Sequence, residues 1–167
     1  MVMKPRELVT AAFMGALLYV QQVALAALPN IHLCAFLILM YALYFPRAAV
    51  FAVAIFVLLE GITYGFGLWW ISYLYTWPLL LAVALLFRKN RSPVFWAAIA
   101  GGFGLMYGAL CAIPYFFMGG PAAAISYWIY GIPFDLIHGI SNVCIMLLLW
   151  KPMGKVFARL EKLIGRS

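Results

Sequence analysis

The chain has 167 residues, of which 68% are hydrophobic and 9% charged, and it carries a net charge of +7. A soluble globular domain is about half apolar and a quarter charged, so that class is excluded and lipid is the expected solvent. The length suits one domain. All eleven Lys and Arg lie in short tails and connections, so the positive charge calls for no nucleic-acid partner.

Three runs contain neither Lys nor Arg: residues 8–46, 48–87 and 92–150. Each is too long for one membrane span of about 20 residues and fits two. The expected fold is therefore all-α, a single bundle of six transmembrane helices at approximately 8–28, 31–45, 48–66, 70–87, 93–117 and 127–150, with a short amphipathic tail at 152–167. Lys4 and Arg6 precede span one, and Arg47 separates spans two and three. Arg88, Lys89 and Arg91 separate four and five, and Lys151, Lys155, Arg159, Lys162 and Arg166 follow six. The other three connections have no basic residue. The positive-inside rule then puts both termini in the cytoplasm. Ala24-Leu25-Ala26 resembles a signal-peptide cleavage site, but the preceding apolar run, about 21 residues, is longer than an h-region of about 7–15. A retained span is expected.

In span one, Ala12 and Ala16 are four apart, with Ala11 and Gly15 as a second small pair beside them. Small residues at this spacing allow another helix to approach closely. Gln21 and Gln22 fall in the outer half, and Pro29-Asn30 is a turn signal. Span two starts directly after it, which places His32 near the outer surface as an interfacial polar residue. In span three, Glu60 lies about 13 residues, or ~20 Å, from the inner end, and Tyr64 follows one turn later. An acid at that depth is a candidate functional group.

The connection over residues 65–78 is uncharged and holds Trp69, Trp70, Tyr73, Tyr75 and Trp77. Such a cluster serves as an interfacial aromatic belt or as a stacking platform for a flat heteroaromatic ligand. In span five, Ala100, Gly104, Gly108 and Ala112 form a smooth stripe, which predicts close packing within the chain. Met118-Gly119-Gly120-Pro121 reads as a mobile outer loop suited to a lid. In span six, Asp135, His138 and Asn142 stand at i, i+3 and i+7 and so share one helix face. An acid at a helix centre costs about 2.5–3.5 kcal/mol on insertion scales, so this stripe is expected to face protein or a cavity. An alternative reading has Pro133 as the first residue of the straight helix, with Asp135 in its first turn, where the macrodipole favours an acid; it leaves His138 and Asn142 unexplained. Beyond Pro152, Val156, Phe157, Leu160, Leu163 and Ile164 interleave with basic residues and read as a helix lying on the inner leaflet.

Cys34, Cys111 and Cys144 all lie in apolar runs and read as packing residues. There is no phosphate-binding Gly-Lys-Ser/Thr motif, nucleophile elbow or paired metal-ligand motif. No cofactor, metal site or intrinsic ATPase is expected.

Several features converge on one family. Ala12-x-x-x-Ala16, Leu28-Pro29-Asn30-Ile31 and Leu59-Glu60-Gly61 are three of them. The most specific are the run Gly131-Ile132-Pro133-Phe134-Asp135-Leu136-Ile137-His138-Gly139, then Asn142 and Lys151-Pro152-Met153. With these motifs, its length and its topology, the chain resembles the substrate-binding S component of an energy-coupling-factor (ECF) transporter. The resemblance implies a non-catalytic subunit of a multi-pass importer in a bacterial plasma membrane. Such a subunit captures a small water-soluble vitamin or vitamin precursor at the outer face. It implies partners too: a transmembrane coupling subunit, docked through Ala12 and Ala16, and two cytoplasmic ATPases. Members that take cobalt or nickel carry His at the second position. Here that residue is Val2, a departure from the metal-transport pattern.

The candidate substrate-binding residues are Asn30, His32, Glu60, Tyr64, Trp69, Trp70, Tyr73, Trp77, Asp135, His138 and Asn142. Two readings from other classes stand beside this one: a membrane-embedded enzyme using His138 and Asp135 as an acid–base pair, and an assembly subunit without a ligand.

Overall fold

The computed structural model describes residues 4–165; Val2 and Arg166 lie outside them. The described residues form six helices and no strand: α1 (Pro5–Ala24), α2 (Cys34–Tyr44), α3 (Pro46–Tyr64), α4 (Leu68–Leu86), α5 (Pro93–Cys111) and α6 (Ile113–Gly165). Five of these are long and apolar enough to cross a membrane, and α2, at 11 residues, is shorter.

The starts of the helices follow from backbone chemistry. Pro5, Pro46 and Pro93 open α1, α3 and α5, where a missing N–H costs nothing because the first-turn donors have no intrahelical acceptor. Ser92 caps α5 by accepting the Phe95 N–H at 3.3 Å. Gly65 ends α3 at φ 88°, a conformation that a side chain would oppose.

The surface is apolar as well as the core. Val9, Phe13, Phe117 and Leu148 are all at least 70% exposed, an arrangement suited to hydrocarbon rather than water. Inside the bundle, α2 is buried all round from Cys34 to Leu43 and packs against every other helix. The two small pairs of α1 divide. Ala11 and Gly15 are buried, and a Cβ at Gly15 would lie 2.8 Å from Ile55 and 2.9 Å from the Ala52 carbonyl of α3. Ala12 and Ala16 face outward and are exposed.

The smooth stripe of α5 packs on α6, as expected. A Cβ at Gly104 would come within 2.7–2.8 Å of the Gly139 backbone, and one at Gly101 within 2.5 Å of Val143. Tyr75 adds a tie between α4 and α5, its hydroxyl donating to the Leu110 carbonyl at 2.6 Å.

Several observed bounds differ from the sequence reading. The expected lid at 118–121 is a single break at Gly120, φ 76°. It separates a short arm, 113–119, from a long helix beginning at Pro121. The arms fold against each other, with Tyr115 stacked on Tyr127 at 4.2 Å. The long helix runs through Pro133 and Pro152 to Gly165, so Asp135 lies well inside it rather than in a first turn. Neighbouring helices compensate for the backbone bonds that prolines forfeit in such surroundings. The expected surface tail is a continuation of α6. Phe157 is buried under α2, with ring centroids 5.8 Å from both Tyr41 and Tyr44. Pro78 lies within α4, and the aromatic segment expected to be a loop is helical from Leu68 onward.

The Gly104 contact is with backbone and cannot yield by a side-chain rotation. Gly104→Ala is expected to destabilise the bundle by about 1–3 kcal/mol through overpacking. Gly102→Ala, where an added Cβ meets nothing within 4 Å, should be neutral or slightly stabilising. Thermal unfolding of the two variants in detergent measures the difference.

Candidate functional site

The site is set by where the α1–α2 connection goes. Residues 25–33 do not stay at the rim of the bundle. The Asn30 carbonyl accepts the Ser141 hydroxyl at 3.1 Å, and Ser141 lies twenty residues, about 30 Å, along α6 from Pro121. His32 packs edge-on against Trp77, centroids 6.0 Å apart, and against His138 at 4.9 Å. Trp77 is nine residues, about 14 Å, along α4 from its start at Leu68. The non-helical segment therefore enters the bundle from the end opposite the basic residues, and α2 starts well inside it.

Backbone outside a helix at that depth must find partners in protein. Short turn bonds supply several of them, Ser141 supplies another, and Gln21 supplies the one at the junction with α2. Its Oε1 accepts the Leu33 N–H at 2.7 Å, and its Nε2 donates to the Leu18 carbonyl and to Cys34 Sγ, each at 2.7 Å. The Cys34 thiol in turn donates to Gln22 Oε1 at 3.1 Å, while Gln22 Nε2 donates to the Tyr73 hydroxyl at 3.1 Å. Asn30 takes up φ 59°, within the left-handed region that Asn tolerates better than most residues.

Beside His32 stand Trp77 of α4 and His138 of α6, and these two rings are met in turn by Tyr73 of α4 and by Phe103 and Tyr107 of α5. Trp77 is fully buried and meets Tyr73, Phe103 and Tyr107 at centroid distances of 5.5–5.6 Å. Tyr107 is 5.0 Å from His138. Such edge-on and tilted ring pairs add to the stabilisation from area burial alone. Three polar groups in this aromatic box are buried without a hydrogen-bond partner in the protein: Trp77 Nε1 and both ring nitrogens of His138. An unmade bond at a buried donor or acceptor costs about 1–3 kcal/mol.

Two polar residues of the α6 stripe tie it to α5. Asp135 Oδ1 accepts the Gly108 N–H at 2.8 Å, leaving Oδ2 buried without a partner. Asn142 Nδ2 donates to the Ala100 carbonyl at 3.1 Å. Gly108 and Ala100 belong to the smooth stripe, whose small residues admit these polar side chains to the α5 backbone. Glu60 of α3 is 2% exposed, and its Oε1 lacks a partner.

The sequence-derived candidates therefore divide. His32, Tyr73, Trp77 and His138 come together in the box. Asp135 and Asn142 continue along α6 on either side of it, and Asn30 anchors the entering segment. Trp69 stands at the rim, edge-on to Tyr73 at 5.2 Å. Trp70 points the other way, donating from Nε1 to the Val57 carbonyl of α3 at 2.8 Å. Tyr64, the last residue of α3, is 54% exposed. Phe103, Tyr107, Gln21, Gln22 and Ser141 were not among the candidates. For Phe103 and Tyr107, a signal was present in their four-residue spacing beside the small stripe of α5. Among the described residues, no three His, Cys, Asp or Glu are grouped to hold a metal ion.

No family model, curated protein or solved structure matches the chain.

Gln21 bonds the entering segment at its junction with α2. Gln21→Leu is expected to lower the local opening free energy by about 1–3 kcal/mol. Amide hydrogen exchange across residues 30–34 reads this directly, and unchanged exchange would show that other contacts hold the segment.

Proposed function

We propose that the chain is the substrate-binding S component of an ECF-type importer, a non-catalytic subunit in a bacterial plasma membrane. It captures a small, ring-containing, water-soluble vitamin or vitamin precursor at the outer face. The observation that carries this reading is the aromatic box reached by residues 25–33. It combines ring faces from three helices with the unpartnered nitrogens of Trp77 and His138. Rings provide stacking area, and unpartnered polar groups give direction and selectivity, because a ligand lacking the matching atom leaves them buried and unpaired. A non-helical segment lying over the box provides a means of entry, since moving it disrupts fewer backbone bonds than breaking a helix.

In this reading residues 25–33 and α2 together make one crossing, giving six passes with both termini in the cytoplasm. The gathering of basic residues at one end agrees with that orientation. Ala12 and Ala16, exposed on α1 between Val9, Phe13 and Val20, offer a smooth lipid-facing strip for a coupling-subunit helix. Two partner ATPases would supply the energy.

The test is native mass spectrometry of the gently purified chain, with identification of any small molecule released on denaturation. A stoichiometric heteroaromatic solute is the expected result. With that solute as probe, His138→Phe retains the ring but removes both nitrogens, and affinity is expected to fall by about 1–3 kcal/mol, roughly 5- to 150-fold. Leu148→Ala, 75% exposed on α6, should bind normally. Equal affinity in both variants would remove His138 from the site.

Docking is tested separately by Ala12→Trp with Ala16→Trp. This double variant should bind solute normally while failing to co-purify with a coupling subunit and its ATPases.

A further inference from the structure

The basic end of the bundle holds a second feature, remote from the aromatic box. A cavity of about 480 Å³ is lined there by Lys4, Arg6, Arg47 and Arg88, together with Glu7 and Glu161. These residues come from the start of α1, the start of α3, the α4–α5 connection and the far end of α6. Two helix N-termini open on this one space, α1 at Pro5 and α3 at Pro46. Each presents first-turn N–H groups and the positive end of its dipole.

Glu7 already has partners. Its Oε1 is 3.5 Å from Arg47 Nη1, and its Oε2 accepts the Lys4 backbone N–H at 3.0 Å. That ion pair joins the two helix starts, and an excess of positive charge remains around the space. Arg91 adds to the excess. Its guanidinium sits 5.2 Å from the ring centroid of Tyr44, which also lines the cavity.

The feature is more than a solvated basic loop, because it continues along the lipid-facing wall. Arg47 and Arg88 also line an adjoining groove of about 500 Å³, whose other walls are Pro46, Val50, Phe51 and Leu85. Val50 and Phe51 are 48% and 43% exposed on the outside of α3. Cations and helix N-termini therefore meet an apolar channel at the basic end of the bundle, the same order in which a phospholipid carries its phosphate above its acyl chains. We propose that this is a binding site for an anionic phospholipid. Its phosphate sits among Arg47, Arg88, Lys4 and Arg6, and one acyl chain runs along Val50, Phe51 and Leu85. A free phosphate would share the headgroup chemistry but leave the groove unused.

The test is native mass spectrometry of the full chain in detergent micelles with equal amounts of phosphatidylglycerol and phosphatidylcholine of identical chains. Each cation near an anionic lipid surface is worth about fivefold, so phosphatidylglycerol adducts should exceed phosphatidylcholine adducts by about fivefold or more. Arg47→Gln with Arg88→Gln should abolish that preference. Lys151→Gln with Lys155→Gln removes the same charge from the same end of the bundle but outside the cavity, and should preserve it. Val50→Trp fills the groove without altering charge and should lower retention of phosphatidylglycerol. Millimolar glycerol phosphate should leave the adducts in place. Equal retention of the two lipids by the unaltered chain would overturn the proposal, as would equal losses in the two charge variants. Displacement by glycerol phosphate, with no effect of Val50→Trp, would assign the cavity to a soluble anion instead.

Discussion

Hydrocarbon offers no hydrogen bonds, and the bundle is arranged around that fact. Every polar side chain at membrane depth must be met from within the protein or bear the cost of being unmet. The link between α5 and α6 shows how this is done. Gly104 and Gly108 let α6 approach the α5 backbone closely. Asp135 then reaches the Gly108 N–H, and Asn142 reaches the Ala100 carbonyl. A bulkier α5 would hold these groups away from their partners. The small stripe and the polar stripe thus form one device, in which close packing makes the polar residues tolerable.

The same constraint gives meaning to the groups it leaves out. His138 is fully buried with neither nitrogen bonded, and Trp77 Nε1 is in the same position. Purely structural selection would favour apolar rings here, since apolar replacement relieves an unmet polar group without loss of packing. Their presence beside a segment of non-helical backbone is what makes this region the functional candidate. Residues 25–33 are bonded through Gln21 and Ser141 rather than through a helical ladder. A segment held this way can be displaced while the helices stay intact.

The two ends of the molecule face different chemistry. One end brings rings and neutral donors into the interior through the entering segment. The other gathers cations, two helix starts and an ion pair around an open cavity beside the lipid-facing wall. Between them α2 is buried from Cys34 to Leu43. It contacts all five other helices. Phe157 of α6 packs on the opposite end of α2, against Tyr41 and Tyr44.

The sequence by itself determined the solvent, the helical class and the uneven distribution of charge, because these depend on composition and run length alone. It also determined that Asp135, His138 and Asn142 share a face and that Ala100, Gly104, Gly108 and Ala112 share another, because helical periodicity fixes both; that α6 covers the small stripe of α5 while Ala12 and Ala16 stay exposed is tertiary. It did not determine which side of each remaining helix turns inward. In water that is read from the contrast between apolar and polar faces; in lipid both faces are apolar, and the contrast disappears. Hence Trp70 turns to α3 while its neighbours Tyr73 and Trp77 turn to the box, and Ala11 packs while Ala12 is exposed. The entry of residues 25–33 was equally hidden, since a turn signal at Pro29-Asn30 marks where a helix ends but not how deep. Only the tertiary structure decided that depth, because it depends on Ser141, Trp77 and His138, side chains distant in sequence, and on a bond from Gln21 whose reach is set by the packing of α1.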